Sequence, residues 1–122
     1  IKYYNHCLFH LVHKGRLIQT GDPTGTGTGG SSVWGVLEGE RKRFFGLETS
    51  KHLRHERAGT VSMANAGPGT NASQFFITTA DNLRHFDDEY TVFGEVAEGL
   101  DTVAAIDESY CDDGGRPFQN IR

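Results

Sequence analysis

Short runs of apolar and β-branched residues, each stopped by Gly, Asn, Asp or Pro, recur along this chain and predict strands over 7–12, 16–20, 60–64, 73–79 and 91–96. Only one stretch has a clear helical period. After Gly99, the residues Val103, Ile106 and Tyr110 return at helical spacing, so 101–110 reads as a helix with Asp101 as its N-cap, ended by Gly114-Gly115. A short helical turn fits 82–88. The segment 21–32 holds five glycines and a proline and must be an irregular loop. The predicted class is therefore mainly β, in one domain without internal repeats.

Composition narrows the functions open to such a domain. No apolar run approaches the roughly 20 residues that span a bilayer, and no membrane association is expected. Sixteen Asp and Glu against twelve Lys and Arg leave a net charge of −4, which argues against a phosphate-binding surface. The basic runs 41–43 and 51–57 lack interleaved stacking aromatics and read as solvated, so direct RNA binding is not expected. Cys7 and Cys111 stand far apart with no dense cysteine framework around them, which predicts a reduced intracellular setting without a disulfide.

Some motifs point to chemistry that their context denies. Gly25, Gly27 and Gly30 match a dinucleotide fingerprint, but Ser31-Ser-Val-Trp-Gly35 does not read as the start of a helix, and no βαβ unit surrounds it. His6, Cys7, His10 and His13 are metal-ligand types, yet strand alternation puts Cys7 and His13 on one face and His6 and His10 on the other. Asp87, Asp88 and Glu89 lack the spacing of a calcium loop and read as solvated. Asn71-Ala72-Ser73 satisfies the glycosylation pattern by chance. No metal and no cofactor are expected.

The most informative stretch is 61–79, two β-type runs joined by a loop of small residues rich in uncharged hydrogen-bonding groups. Asn65, Thr70, Asn71 and Gln74 donate and accept without carrying charge. Phe75 and Phe76 face opposite sides of a strand, so one can enter the core while the other lines a pocket. This is the wall of a site for an uncharged peptide.

That stretch, with Phe9-His10, Gln19-Thr-Gly-Asp22, the glycines of 25–30 and Thr91-Val-Phe-Gly94, resembles the cyclophilins, a family of peptidyl-prolyl cis-trans isomerases. The opening 1–10, the loop 21–27 and the ending 116–122 are similar to a nuclear subgroup in which the cyclophilin domain precedes an RNA-recognition motif; no such motif lies within these 122 residues. The resemblance implies an antiparallel barrel capped by helices. Against that pattern residues 1–122 form a single domain that lacks the first strands, the first helix and the last strand, a barrel incomplete at both ends with exposed backbone edges.

Carried over residue by residue, the resemblance assigns Gln19, Asn65 and Phe76 to the catalytic positions. It assigns Leu11, Arg16, Leu17, Ala64, Ala66, Thr70, Asn71, Gln74, His85, Phe86 and Tyr90 to the substrate groove. Of these, Leu17, Phe76 and Phe86 would form the proline pocket and Gln74 a hydrogen-bonding position. From the residues alone, Leu17 and Phe76 equally suit barrel core, and Asn65 and Asn71 equally suit turns.

Two departures bear on activity. Leu11 stands where the family places its catalytic arginine, and Arg16 where it places a pocket phenylalanine. Leu11 donates no hydrogen bond, and a flexible Arg16 is a poor substitute for a fixed donor. The expectation is an isomerase acting on X-Pro bonds of proteins with weak turnover. The alternative is an impaired proline-peptide binding module of a nuclear splicing or transcription factor, recruiting splicing components or the tail of RNA polymerase. His85, at the position of a tryptophan that contacts cyclosporin, implies weak binding of that macrocycle.

Overall fold

The computed structural model describes residues 2–122. Five short strands, β1 (Leu11–His13), β2 (Leu17–Thr20), β3 (Thr60–Met63), β4 (Phe75–Thr78) and β5 (Val92–Glu95), form one antiparallel sheet in the order β1-β2-β4-β3-β5. Two helices accompany it, α1 (Val33–Glu38) and α2 (Leu100–Asp107), with 3-10 turns at Glu40–Lys42 and Arg84–Phe86.

The register sorts side chains onto two faces, because residues directly opposite each other in an antiparallel pair point the same way. Leu11 lies opposite Gln19, Gln19 opposite Phe76, and Phe76 opposite Ser62, so these residues form one row across four strands. On the other face Val12 pairs with Ile18, Ile18 with Ile77, and Ile77 with Val61. Here α2 covers the β1–β2 end, burying Val103 against Val12 and the fully enclosed Ile18.

The sheet is not closed. Phe93 is 54% exposed although its ring meets Phe75 edge-on at 6.1 Å, and Tyr4, whose ring also meets Phe75 edge-on, is 52% exposed. Along β1 and just before it the C-terminal segment supplies hydrogen-bond partners: Val12 N–H donates to Gly115 O at 2.7 Å, and Phe9 N–H to Ile121 O at 2.8 Å. Cys7 and Cys111 are both free thiols.

Several elements depart from the sequence reading. Residues 7–10 precede β1 rather than belong to it, because the Phe9 N–H and Leu8 O are taken by Ile121 and the Thr20 hydroxyl instead of a strand ladder. A helix does open after Ser31: Ser32 caps α1, its Oγ accepting from Gly35 N–H at 3.2 Å. The wholly antiparallel sheet still supplies no βαβ unit. Helix α2 begins at Leu100 with Gly99 at its N-cap in the left-handed region (φ 96°), so Asp101 sits inside the first turn and contributes charge rather than a cap.

Candidate active site

The loop between β2 and α1 is built around one carboxylate. Asp22 is fully buried, and its two oxygens accept from Thr24 N–H (2.8 Å), Thr24 Oγ1 (2.7 Å), Gly27 N–H (2.7 Å) and Gly29 N–H (3.0 Å). Burial alone would raise its pKa; these hydrogen bonds outweigh burial and bring it to about 2. Just before it, Gly21 (φ 95°) passes against the Ser73 carbonyl, where any Cβ would collide. The loop is thereby held against the entry to β4.

Gln74 reads the position of that loop. Its Nε2 donates to Gly27 O at 3.0 Å and Gly29 O at 2.8 Å, while its Oε1 accepts from Gln19 Nε2 at 2.9 Å. The two amides, with Gly27–Gly29, Arg43, Phe44, Ala64, Asn65, Ala66, Thr70 and Ala72, line a groove of about 340 Å³. A second, larger groove of about 650 Å³ shares Asn65 and Ala66 and continues to Gly67–Gly69, Asn71, Leu47, Asp88, Glu89 and Tyr90. Asn65-Ala66 is therefore the ridge between them. The Asn65 side chain donates to Glu89 O at 3.0 Å and accepts from Gly67 N–H at 3.1 Å. Among the described residues its main-chain N–H and C=O make no hydrogen bond, which leaves both able to pair with an extended peptide.

Beside the ridge lies an aromatic cluster. Phe76 (2% exposed) meets Phe86 at 5.5 Å and Tyr90 at 5.2 Å between ring centres, and Leu17, Ala64 and Leu83 complete it. The sheet row places Leu11 and Gln19 next to Phe76 on the same face. Of the residues singled out in the sequence, Gln19, Ala64, Asn65, Ala66 and Gln74 line the smaller groove, Leu17, Phe76, Phe86 and Tyr90 belong with Ala64 to the aromatic cluster, and Leu11 joins the row through Gln19. Arg16 is exposed in the turn before β2. His85 is exposed, its ring 4.4 Å from that of Phe86 between centres.

Thr70 and Asn71 do framework work within the groove wall. The Thr70 hydroxyl bridges Ala66 N–H (2.8 Å) and Gly67 O (2.6 Å). Asn71 is 2% exposed and donates to Gly46 O at 3.0 Å.

Sequence reasoning missed three residues behind the aromatic cluster. His55, read as part of a solvated basic run, is 1% exposed; Asp87, read as a solvated acid, accepts from both its backbone N–H and its Nδ1 at 2.8 Å. The Asp87 pKa lies below the usual carboxylate value, because hydrogen bonds from His55 and the Arg54 charge overcome the upward push of burial. Ser62, fully buried, contacts His55 Nε2 at 3.0 Å. The only signal for Ser62 in the sequence is its alternation within 60–64; nothing local links residues 55 and 87.

The family model described as cyclophilin type peptidyl-prolyl cis-trans isomerase/CLD matches residues 1–122. The chain is 52% identical over 122 residues to Arabidopsis thaliana peptidyl-prolyl cis-trans isomerase CYP59, covering all of this chain and 24% of that protein. It is 50% identical over the same length to human peptidyl-prolyl cis-trans isomerase-like 4, covering 25% of it. A solved Cryptosporidium parvum cyclophilin type peptidyl-prolyl cis-trans isomerase, crystallised in the presence of the dipeptide Ala-Pro, superposes with a TM-score of 0.86 at 38% identity, covering 97% of this chain and 71% of that one. The chain belongs to the cyclophilin-type peptidyl-prolyl cis-trans isomerases. It spans about a quarter of the length of the curated relatives named above.

Proposed function

We propose that the protein holds an extended X-Pro segment of another protein across the Asn65-Ala66 ridge and isomerises it with weak turnover. The observation that carries this reading is the row Leu11–Gln19–Phe76, which sets an apolar platform, an amide and a missing donor side by side. Rotating an X-Pro bond passes through a twisted state about 18–20 kcal/mol above the planar one, and no covalent intermediate is needed. Catalysis requires a seat for the proline ring, fixed partners for the flanking carbonyls, and a donor that prefers the twisted nitrogen.

The Leu17–Phe76–Phe86–Tyr90 cluster serves as the seat, and the Asn65 main chain and Gln19 as the partners. Leu11 supplies no donor, and absence of such a preorganised group typically lowers the rate on the order of 10²–10³. Leu11 equally favours a second reading, a proline-peptide binding module whose output is recruitment. Resemblance to the subgroup carrying an RNA-recognition motif supports a nuclear setting and partners such as splicing components or the RNA polymerase tail.

Chemical-shift mapping tests the groove. Titration with a short X-Pro peptide shifts Asn65, Gln74 and Phe76, and the same peptide with Ala for Pro does not. Shifts confined to other surfaces, or equal shifts with both peptides, refute the assignment.

A further inference from the structure

We infer that His55 is a positioning residue for the prolyl groove: held between Asp87 and Ser62, it fixes the Phe76 and Phe86 rings against which the proline packs. The inference rests on the groove reading above. It starts from the neighbours of His55. Its imidazole lies nearly parallel to Phe76, 6.0 Å between centres at 19°, and edge-on to Phe86 at 5.7 Å and 85°. It is thus the back wall shared by both pocket rings.

The ring has one orientation that satisfies it. The Asp87 carboxylate is an acceptor only, so Nδ1 carries the proton and donates at 2.8 Å. On the other side Ser62 Oγ stands 3.0 Å from Nε2 and 2.9 Å from Thr91 O. With a neutral imidazole the Ser62 proton points to Nε2. With a charged imidazole Nε2 donates instead and the Ser62 proton turns to Thr91 O. Both nitrogens are partnered in either state, whereas a flipped ring would put carbon against Asp87 and Ser62.

This contact also joins two segments that carry the pocket. Ser62 is the cross-strand partner of Phe76 in the sheet, and Asp87 follows Phe86 directly. The backbone adds to the join, with Leu83 N–H donating to His55 O at 2.9 Å and Asn82 N–H to Glu56 O at 2.8 Å. The Asp87–His55–Ser62 order is that of a nucleophile triad, but Ser62 is fully buried and reaches no substrate, so positioning is the role that remains.

The test compares His55→Phe, which keeps an aromatic ring but cannot be held at either edge, with Val103→Ala, a cavity in the cluster on the opposite face. For His55→Phe we expect about tenfold weaker binding of an X-Pro peptide, together with displaced Phe76 and Phe86 ring signals in the free protein. For Val103→Ala we expect a lower melting temperature with affinity and ring signals within about twofold of wild type. If His55→Phe does not fold, Ser62→Ala, which removes the hydroxyl from both His55 Nε2 and Thr91 O but keeps the imidazole, carries the test with about a threefold loss and the same ring signals displaced. Unchanged affinity and ring signals in a folded variant overturn the inference, as does an equal loss in Val103→Ala. If wild-type protein binds no X-Pro peptide, the groove reading fails, while the ring signals of the free variants still decide whether His55 positions Phe76 and Phe86.

Discussion

Asp22→Asn isolates the electrostatic anchor of the groove wall. The carboxylate is fully buried, and its pKa is brought from 3.8 to about 2 by the donors of the glycine loop. A depression of that size is worth about 2 kcal/mol of stability near neutral pH. The amide also turns one NH₂ toward main-chain N–H groups of Thr24 or of Gly27 and Gly29, adding about 1 kcal/mol of donor–donor conflict. The total of about 3 kcal/mol corresponds to a melting temperature lowered by roughly 10 °C in a chain of this size. Because the folded-state pKa lies below the unfolded one, the carboxylate contribution is complete above about pH 4 and is lost as pH falls through about 2. Urea titrations of wild type and variant across this range should show a constant gap that narrows only in that acid window. Peptide affinity should fall as well, since Gln74 is held by the Gly27 and Gly29 carbonyls. A gap below about 0.5 kcal/mol near neutrality, or one that does not narrow near pH 2, refutes the reasoning.

Leu11→Arg should raise kcat/KM by up to about 10² while changing peptide affinity by less than about threefold, measured by coupled isomerase assay and titration. A gain in affinity alone would misplace Leu11 relative to the imide nitrogen. Calorimetry should find weak cyclosporin binding to wild type and tighter binding to His85→Trp combined with Arg16→Phe, because an indole restores apolar contact and the second change removes a charge that the macrocycle would desolvate. A nanomolar wild-type complex contradicts this. Gly21→Ala should cost at least about 2 kcal/mol in denaturant titration, since its Cβ meets the Ser73 carbonyl at positive φ; a cost below about 0.5 kcal/mol would mean the loop relaxes freely.

The strands were legible because their apolar cores alternate over short runs, although β1 starts later than the sequence suggests because at Phe9 the C-terminal segment takes the place of a ladder partner. Helix α2 was legible from Val103 and Ile106 at helical spacing, although it ends at Asp107 and leaves Tyr110, read as its third periodic residue, outside and exposed; α1 was hidden by Gly35 in its middle and by apolar residues that remain exposed, such as Val33 and Trp34. The residues from Ala64 to Gln74 that line the two grooves lie in a single sequence segment. The bracing of the pocket does not: His55 and Asp87 lie 32 positions apart, and only the fold makes a basic run and an acidic run supply one buried contact. Asp22 was legible as part of a motif but not as a buried anion, because its partners are main-chain N–H groups that every residue except proline carries.

Two-dimensional exchange spectroscopy on an X-Pro peptide in the presence of the wild-type protein tests the central claim most directly, since it reports binding and cis-trans turnover in one sample. The account predicts peptide-induced shifts at Asn65, Gln74 and Phe76 together with catalysed exchange that is slow or undetectable. Exchange as fast as that of an arginine-bearing cyclophilin would contradict it, as would a peptide that leaves those residues unperturbed.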